Sequence, residues 1–119
     1  MPNVQIKRAY EPAKPSDGYR VLVDRLWPRG VSKQRAALDD WMKTVAPSTQ
    51  LRQWFGHDPA RWKEFAARYR AELKTHAPEL ADLEAHARKG TLTLVFGARD
   101  VDHNEAAVLR DVLLKKQAR

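Results

Sequence analysis

Two loops of the sequence carry arginine beside other side chains able to hold or alter a ligand, and each loop follows an apolar segment. Their chemically capable residues are Arg25, Trp27, Arg29, Arg99, His103 and Asn104. The planar guanidinium group of arginine matches the oxygens of a carboxylate or a phosphate. A helix starting after the second loop would add unpaired backbone N–H groups and a positive dipole end. If the two apolar segments are neighbouring strands, the loops predict a cradle for a small anion.

A third segment, Ala46 to Asp58, contains Arg52, Trp54 and His57, which could close over the same ligand. A tryptophan offers its face to a ring or a cation, and histidine exchanges a proton near neutral pH. We therefore predict catalytic roles for His57 and His103. The predicted ligand-binding residues are Arg25, Trp27, Arg29, Arg52, Trp54, Arg99 and Asn104.

Each of these residues also has a purely structural interpretation. Tryptophan is more often a core residue than a stacking platform, which applies to Trp27 and Trp54. Arg25 could simply pair with the adjacent Asp24, and His103 could simply face solvent. The residues standing where helix caps stand are Ser48, Asp58 and Asp102.

Several kinds of chemistry find no support in the sequence. The absence of cysteine excludes disulfides, thiolate metal sites and cysteine nucleophiles. There is no Gly-x-Ser-x-Gly turn, no Gly-x-Gly-x-x-Gly loop and no P-loop. Carboxylates near His57 and His103 could approach a divalent ion with them, but no paired-histidine motif occurs. We therefore predict neither a metal nor a cofactor.

Length and charge limit the partners. The chain has 119 residues, with 22 Lys and Arg against 15 Asp and Glu, for a net charge of +7. One domain spanning residues 1–119 suits this length, and the positive charge favours anionic partners. The segment from Met1 to Gln5 lacks an apolar leader, and no apolar run approaches the roughly 20 residues that span a bilayer. We expect a cytoplasmic monomer or small homo-oligomer without membrane contact, which binds a small anion and could bind nucleic acid.

Four segments have the pattern of strands. They are Val4 to Ala9, Tyr19 to Trp27, Asp39 to Val45 and Thr91 to Phe96. Continuous apolar stretches in the second and fourth suit strands buried on both faces, whereas the third could also be a helix. Because helical stretches separate the strands, we predict an α/β fold of three layers, with a small, mostly parallel sheet flanked by helices. Such a Rossmann-like topology, here without the dinucleotide motif, binds ligands beyond the carboxyl ends of its strands.

Capping residues and prolines mark the helix starts. The five predicted helices begin near Ser32, Ser48, Asp58, Pro78 and Asp102. In the third helix, Trp62, Phe65 and Tyr69 share one apolar face, so we predict that all three are core residues. In the last helix, Asp102 and Glu105 have the spacing of a capping box.

Three separated motifs resemble the YeaO-like family, a small bacterial group of unknown function. The motifs are Val23 to Gly30, Ala46 to Ser48 with Leu51 to His57, and His103-Asn104. The resemblance covers about Ile6 to Leu114 and implies an α/β sandwich whose two arginine loops lie at neighbouring strand ends. It also favours the strand within Trp41 to Val45. Longer relatives carry a cysteine-rich equivalent of the second loop, so no thiol-dependent activity is implied for this chain.

Three functions fit these features. The first is an enzyme acting on a small anionic or phosphorylated molecule, held by the arginines while a histidine moves a proton. The second is a nucleic-acid-binding module that stacks Trp27 or Trp54 on a base. The third is a non-catalytic sensor or regulatory module with the same pocket. Because the lysines are scattered and form no stripe, the sequence favours the small-ligand pocket over a nucleic-acid groove.

Overall fold

Four parallel strands form the sheet of the computed structural model, which describes residues 3–117. The strands are β1 (Asn3–Arg8), β2 (Tyr19–Leu22), β3 (Asp40–Trp41) and β4 (Thr91–Phe96). Their order across the sheet is β1-β4-β2-β3. The strands that precede the two arginine loops, β2 and β4, are therefore hydrogen-bonded neighbours. The predicted α/β fold with a small parallel sheet is confirmed.

The helices begin close to the caps predicted for them. They are α1 (Lys33–Ala36), α2 (Thr49–Phe55), α3 (Trp62–Leu73), α4 (Ala77–Lys89) and α5 (Glu105–Gln117). The side chains of Ser32 and Ser48 cap α1 and α2, and Asp58 caps a short 3-10 turn that leads into α3. Over residues 3–117, no helix has the length and apolar character needed to cross a membrane.

The central strand β4 contributes side chains to two cores on opposite faces of the sheet. Leu92, Leu94 and Phe96 belong to a large core with residues of α2, α3, α4 and α5. Val95 belongs to a smaller cluster with Leu22 and with residues of α1 and the loops. The sheet is thus covered by long helices on one face and by one helical turn with loops on the other.

The apolar face of α3 is buried except at its first residue. Phe65 and Tyr69 are buried as predicted, whereas Trp62 is only partly buried, so its assignment to the core is wrong. Trp62 starts the helix, at the margin of the core, where one edge contacts the ring of His103 at 5.0 Å between centroids.

A buried polar cluster lies on the second face of the sheet. The Asp17 carboxylate pairs with Arg20 at 2.7 Å and with Lys7 at 3.1 Å. The Arg20 guanidinium also donates to the carbonyl of Ala36 at 2.8 and 3.1 Å. Burial acts to raise the pKa of Asp17, but the Lys14 N–H and the side chains of Lys7 and Arg20 outweigh it and hold that pKa below its usual value. The cluster joins the turn before β2 to β1, β2 and α1.

The second strand is shorter than predicted. It ends at Leu22 instead of Trp27, because the chain turns across the sheet at Asp24. The Asp24 carboxylate accepts the backbone N–H of Gly97 at 2.7 Å, and its carbonyl accepts the indole N–H of Trp41 at 2.6 Å. These bonds tie the end of β2 to the end of β4 and to β3.

The third predicted strand is correct only for Asp40–Trp41. Its remainder is wrong, because Lys43–Val45 forms a 3-10 turn. The buried hydroxyl of Tyr69 donates to the carbonyl of Val45. This hydrogen bond connects the turn to α3.

Candidate functional site

A cavity of about 250 Å³ lies beyond the carboxyl ends of β2 and β4, where ligands bind in many parallel sheets. Its walls come from the loop after β2, from α2 with its flanking residues, and from the turn before α5. The predicted site residues that line it are Arg25, Trp27, Arg29, Arg52, His57, His103 and Asn104. The fold therefore brings residues from all three sequence segments together.

Three arginines line the cavity, and they differ in what holds them. Arg25 is half-buried and donates to the carbonyl of Pro47 at 2.7 Å and to that of Ala46 at 3.4 Å. Arg29 and Arg52 are exposed, and neither forms an ion pair with an acidic residue in the described part of the chain. Because backbone carbonyls do not cancel a charge, all three guanidinium groups remain available to attract an anion.

The loop whose carbonyls hold Arg25 is itself braced by α3. Glu72 accepts the backbone N–H of Ser48 at 2.8 Å and its hydroxyl at 2.6 Å. The Ser48 hydroxyl oxygen in turn accepts the N–H of Leu51 at 3.2 Å, which confirms Ser48 as the cap of α2. Glu72 therefore fixes the wall against which Arg25 lies.

Trp27 lines the cavity and is anchored from behind. Its indole N–H donates to the carbonyl of Val31 at 2.6 Å, and its ring meets Trp41 edge-on at 5.4 Å between centroids. Trp27 also packs against the smaller core. Trp27 is therefore both a structural residue and part of the cavity wall.

His57 borders the cavity in an uncommon backbone conformation. Its φ is +57°, in the left-handed region that residues other than glycine seldom adopt. Gly56, which ends α2, has a similar φ of +53°. The two successive left-handed residues reverse the chain, and the exposed imidazole lies 6.1 Å from the ring of Phe55 between centroids.

His103 borders the cavity from the side of α5 and is held by Asp100. Its Nδ1 lies 2.9 Å from Asp100 Oδ2, and its backbone N–H donates to Asp100 Oδ1 at 3.0 Å. The N–H groups of Asp102 and His103, followed by the His103 side chain, lower the pKa of Asp100 to about 2. A permanently charged carboxylate thus orients the imidazole.

Asn104 is the cap of α5. Its side-chain oxygen accepts the N–H of Ala107 at 2.9 Å, and its amide donates to the carbonyl of Asp100 at 2.9 Å. The predicted capping box of Asp102 and Glu105 is wrong, because α5 begins only at Glu105. The buried Asn104 side chain is therefore occupied by the turn, although its residue lines the cavity.

An acid pair that the sequence interpretation missed lies on the buried side of the cavity. Glu105 is only 8% exposed and lines the cavity together with Asp24. Its buried Oε1 receives no hydrogen bond from the residues that the structure describes. Burial, followed by the hydrogen bond to Asp24 and the charge of that group, raises the pKa of Glu105 well above its ordinary value. Glu105 therefore keeps its proton to a higher pH than an exposed glutamate does.

The raised pKa of Glu105 predicts how stability changes with pH. Above the ordinary glutamate pKa of about 4.3, the unfolded chain loses a proton that the folded chain keeps. The folded state then binds more protons, so stability falls as pH rises from that value through the raised pKa. We expect Glu105→Gln to stabilise the protein at about pH 8 and to flatten this decline from about pH 5 upward in denaturant melts. An equal decline in both proteins would contradict the raised pKa of Glu105.

Two predicted ligand-binding residues lie outside the cavity. The guanidinium groups of Arg61 and Arg68 lie over the ring of Trp54, at 5.3 and 4.4 Å from its centroid. Arg99 is exposed and does not line the cavity. The structure thus places Trp54 against α3, and it leaves Arg99 as a cation of the surface.

The cavity does not have the donor set of a metal site. Among residues 3–117, no group of three or more histidine, aspartate or glutamate side chains is arranged to hold a metal ion. The acid pair stands beside arginines and not beside further oxygen ligands.

Comparisons with known proteins identify relatives along nearly the whole chain. Residues 3–119 match the model of a family described as the inactive DUF488-N3 subclade. The uncharacterised protein YeaO of Escherichia coli is 48% identical over 111 residues, which cover 93% of this chain and 96% of that protein. An uncharacterised protein of Mycobacterium tuberculosis is 44% identical over 110 residues, covering 92% of each chain. No solved structure matches the chain significantly. The chain therefore belongs to the YeaO-like family, in the group described as the inactive DUF488-N3 subclade.

Proposed function

We propose that this protein is a cytoplasmic binding module that holds a small phosphorylated molecule in its strand-end cavity without altering it chemically. The observation that carries the proposal is the pair of exposed arginines, Arg29 and Arg52, which border one cavity without acidic partners in the described chain. Arg25 adds a third guanidinium that only carbonyl groups hold. Guanidinium groups form short, charge-assisted hydrogen bonds with phosphate oxygens, frequently in pairs.

Binding without turnover agrees with the family description, which names an inactive subclade. Without cysteine, the chain offers no thiol nucleophile. In this proposal His57 and His103 are walls of the cavity and donors to the ligand, and not proton shuttles.

The nucleic-acid alternative is disfavoured by the positions of its two candidate stacking residues. Trp54 is covered by Arg61 and Arg68. The indole N–H of Trp27 is tied to Val31, and its ring packs on the smaller core. The net charge of +7 still attracts polyanions, so the two alternatives have to be separated by experiment.

Calorimetric titration with propyl phosphate tests the proposal. We expect Arg29→Ala and Arg52→Ala each to weaken binding about tenfold or more, because a hydrogen bond to a charged group contributes about 1.5 to 3 kcal/mol. Arg99→Ala is the matched control, since it removes the same charge from an arginine outside the cavity. Its affinity should stay within about twofold of wild type. Equal weakening of propyl phosphate binding in all three variants would show a general effect of charge. It would contradict binding in the strand-end cavity.

Salt dependence separates the two kinds of anion. Binding to a nucleic-acid backbone loses roughly one logarithmic unit of affinity per logarithmic unit of salt for each phosphate contacted. Propyl phosphate held by convergent arginines should still bind at about 0.15 M salt, where the screening length is about 8 Å. Tight oligonucleotide binding with a steep salt slope, unchanged by Arg52→Ala, would favour the nucleic-acid alternative instead.

A further inference from the structure

The cavity has two chemically opposite sides. Arg25, Arg29 and Arg52 border it with positive charge, whereas Asp24 and Glu105 border it with a pair of carboxyl groups. The arginines are half-buried or exposed, but Glu105 is more than nine-tenths buried. Cations therefore lie towards solvent, and the acid pair lies on the buried side. A ligand that fills the cavity must therefore bind both the arginines and the acid pair.

The acid pair is incompletely satisfied in the fold. Asp24 accepts one backbone N–H, from Gly97 at 2.7 Å. The buried Oε1 of Glu105 receives no hydrogen bond from any described donor. A buried acceptor without a donor is energetically unfavourable. The acid pair thus lines the cavity without a full set of donors from the described residues.

A simple anion does not complement this cavity. The arginines attract its charge, but the carboxyl groups beside them repel any negative charge that moves inward. A positive group at the inner end of the ligand is instead attracted by the carboxyl groups. The charge distribution therefore favours a molecule whose two ends differ in sign.

Resting on the proposed function, we propose that the ligand is a small zwitterion, with a phosphate held by Arg29 and Arg52 and a protonated amine held by Asp24 and Glu105. The volume of about 250 Å³ suits a compact molecule of this kind. The amine donates its N–H bonds to carboxylate oxygens of these two residues, which both line the cavity. The proton held by the buried Glu105 leaves to solvent as the ammonium group enters. The positive charge of the amine replaces that of the departing proton. The net charge of the acid pair together with its bound positive group is therefore unchanged.

Three probes distinguish this inference from the function on which it rests. The probes are inorganic phosphate, propyl phosphate and O-phosphoethanolamine, the last two being nearly isosteric, with a methyl group in one replaced by an ammonium group in the other. We expect O-phosphoethanolamine to bind about tenfold or more tightly than propyl phosphate, because it gains charge-assisted hydrogen bonds. Equal affinity for the two esters would overturn the zwitterion while leaving the proposed function standing. Failure of all three probes to bind would overturn both.

Proton release gives a second readout on the wild-type protein. Titrations in buffers of different ionisation enthalpy should show that O-phosphoethanolamine releases more protons from the protein, per molecule bound, than propyl phosphate does. Propyl phosphate should release none from the acid pair, since it brings no positive group to it. Tight binding of O-phosphoethanolamine without the additional proton release would contradict the role given to the acid pair.

Variants of the acid pair complete the test. Glu105→Gln should reduce the preference for O-phosphoethanolamine over propyl phosphate to about twofold or less, since it removes the carboxylate that would pair with the amine. Glu64→Gln is the matched control, because Glu64 is an exposed glutamate paired with Arg68 on α3. It should leave the preference unchanged. Asp24→Asn should also reduce the preference for O-phosphoethanolamine over propyl phosphate. A preference that survives in Glu105→Gln and Asp24→Asn alike would overturn the inference.

Discussion

Replacing Asp17 by alanine is expected to remove about 3 to 5 kcal/mol from the free energy of unfolding, a large part of what a small domain has. Both side chains of the Asp17–Arg20 pair are almost fully buried, and their atoms are 2.7 Å apart. Without Asp17, Arg20 keeps its bonds to the Ala36 carbonyl but has no counter-charge. An uncompensated buried cation costs far more than the pair itself contributes. Chemical denaturation followed by tryptophan fluorescence measures the loss.

Glu64→Ala provides the comparison for this first prediction. Glu64 also pairs with an arginine, Arg68, but both side chains are about half exposed. Exposed ion pairs contribute about 1 kcal/mol or less, so this variant should lie close to wild type. Similar losses at Asp17 and Glu64 would mean that burial does not set the energy of the Asp17 cluster.

The second large effect is expected at Gly18, which follows Asp17 directly. Gly18 has a φ of +64°, and a Cβ added to it would lie 2.2 Å from the backbone oxygen of Thr91. Gly18→Ala therefore combines backbone strain of about 1 to 3 kcal/mol with a clash against the start of β4. The clash cannot be relieved by a side-chain rotation, since the opposing atom belongs to the backbone. We expect a total loss of about 3 kcal/mol or more in the same denaturant melts.

Gly30→Ala separates strain from clash. Gly30 has a φ of +80°, but an added Cβ would meet no atom within 4 Å. Its variant should lose only the strain contribution, about 1 to 2 kcal/mol. Equal losses at Gly18 and Gly30 would show that the contact with Thr91 has no role. Since Gly30 ends the loop carrying Arg29, any additional effect on phosphate affinity would report on the shape of that loop.

The sequence predicted the sheet and the convergence of the loops because both depend on local patterns. Apolar stretches located β2 and β4, and glycine and proline located the turns that follow them. In a parallel sheet, neighbouring strands end on the same edge, so loops after neighbouring strands meet. This reasoning correctly brought Arg25 and Arg29 to one cavity with His103 and Asn104, but it also placed Arg99 there, which is wrong.

The acid pair could not be recognised, because a competing cap explained the same residue. Asp102 and Glu105 have capping-box spacing, which assigns Glu105 to the helix start as a partner of the backbone. Asn104 caps the helix instead, so Glu105 becomes its first residue and lies in the cavity. A shift of two residues in a helix start, which is within the usual uncertainty of such boundaries, changed the role of a carboxyl group.

The positions of Trp54 and Arg99 depend on contacts between distant parts of the chain. Trp54 lies outside the cavity, where Arg61 from the turn before α3 and Arg68 from α3 lie over its ring. Arg99 follows β4 closely, but a short turn decides on which side of the strand end its side chain lies. The buried pair of Asp17 and Arg20 escaped notice for a related reason. Asp17 lies in the turn before β2, and its contacts with Lys7 and Arg20 depend on how β1 and β2 are placed in the sheet.

The most direct test of the binding site is a crystal structure of the protein grown with propyl phosphate. We predict a phosphate group within hydrogen-bond distance of Arg29 and Arg52, in the cavity beyond β2 and β4 and on the solvent side of Asp24 and Glu105. Its hydrocarbon end should point towards the acid pair. Phosphate bound at Arg99 instead, or in the groove bordered by Arg70, Lys74 and Lys115 between α3, α4 and α5, with the strand-end cavity free of ligand, would contradict the account.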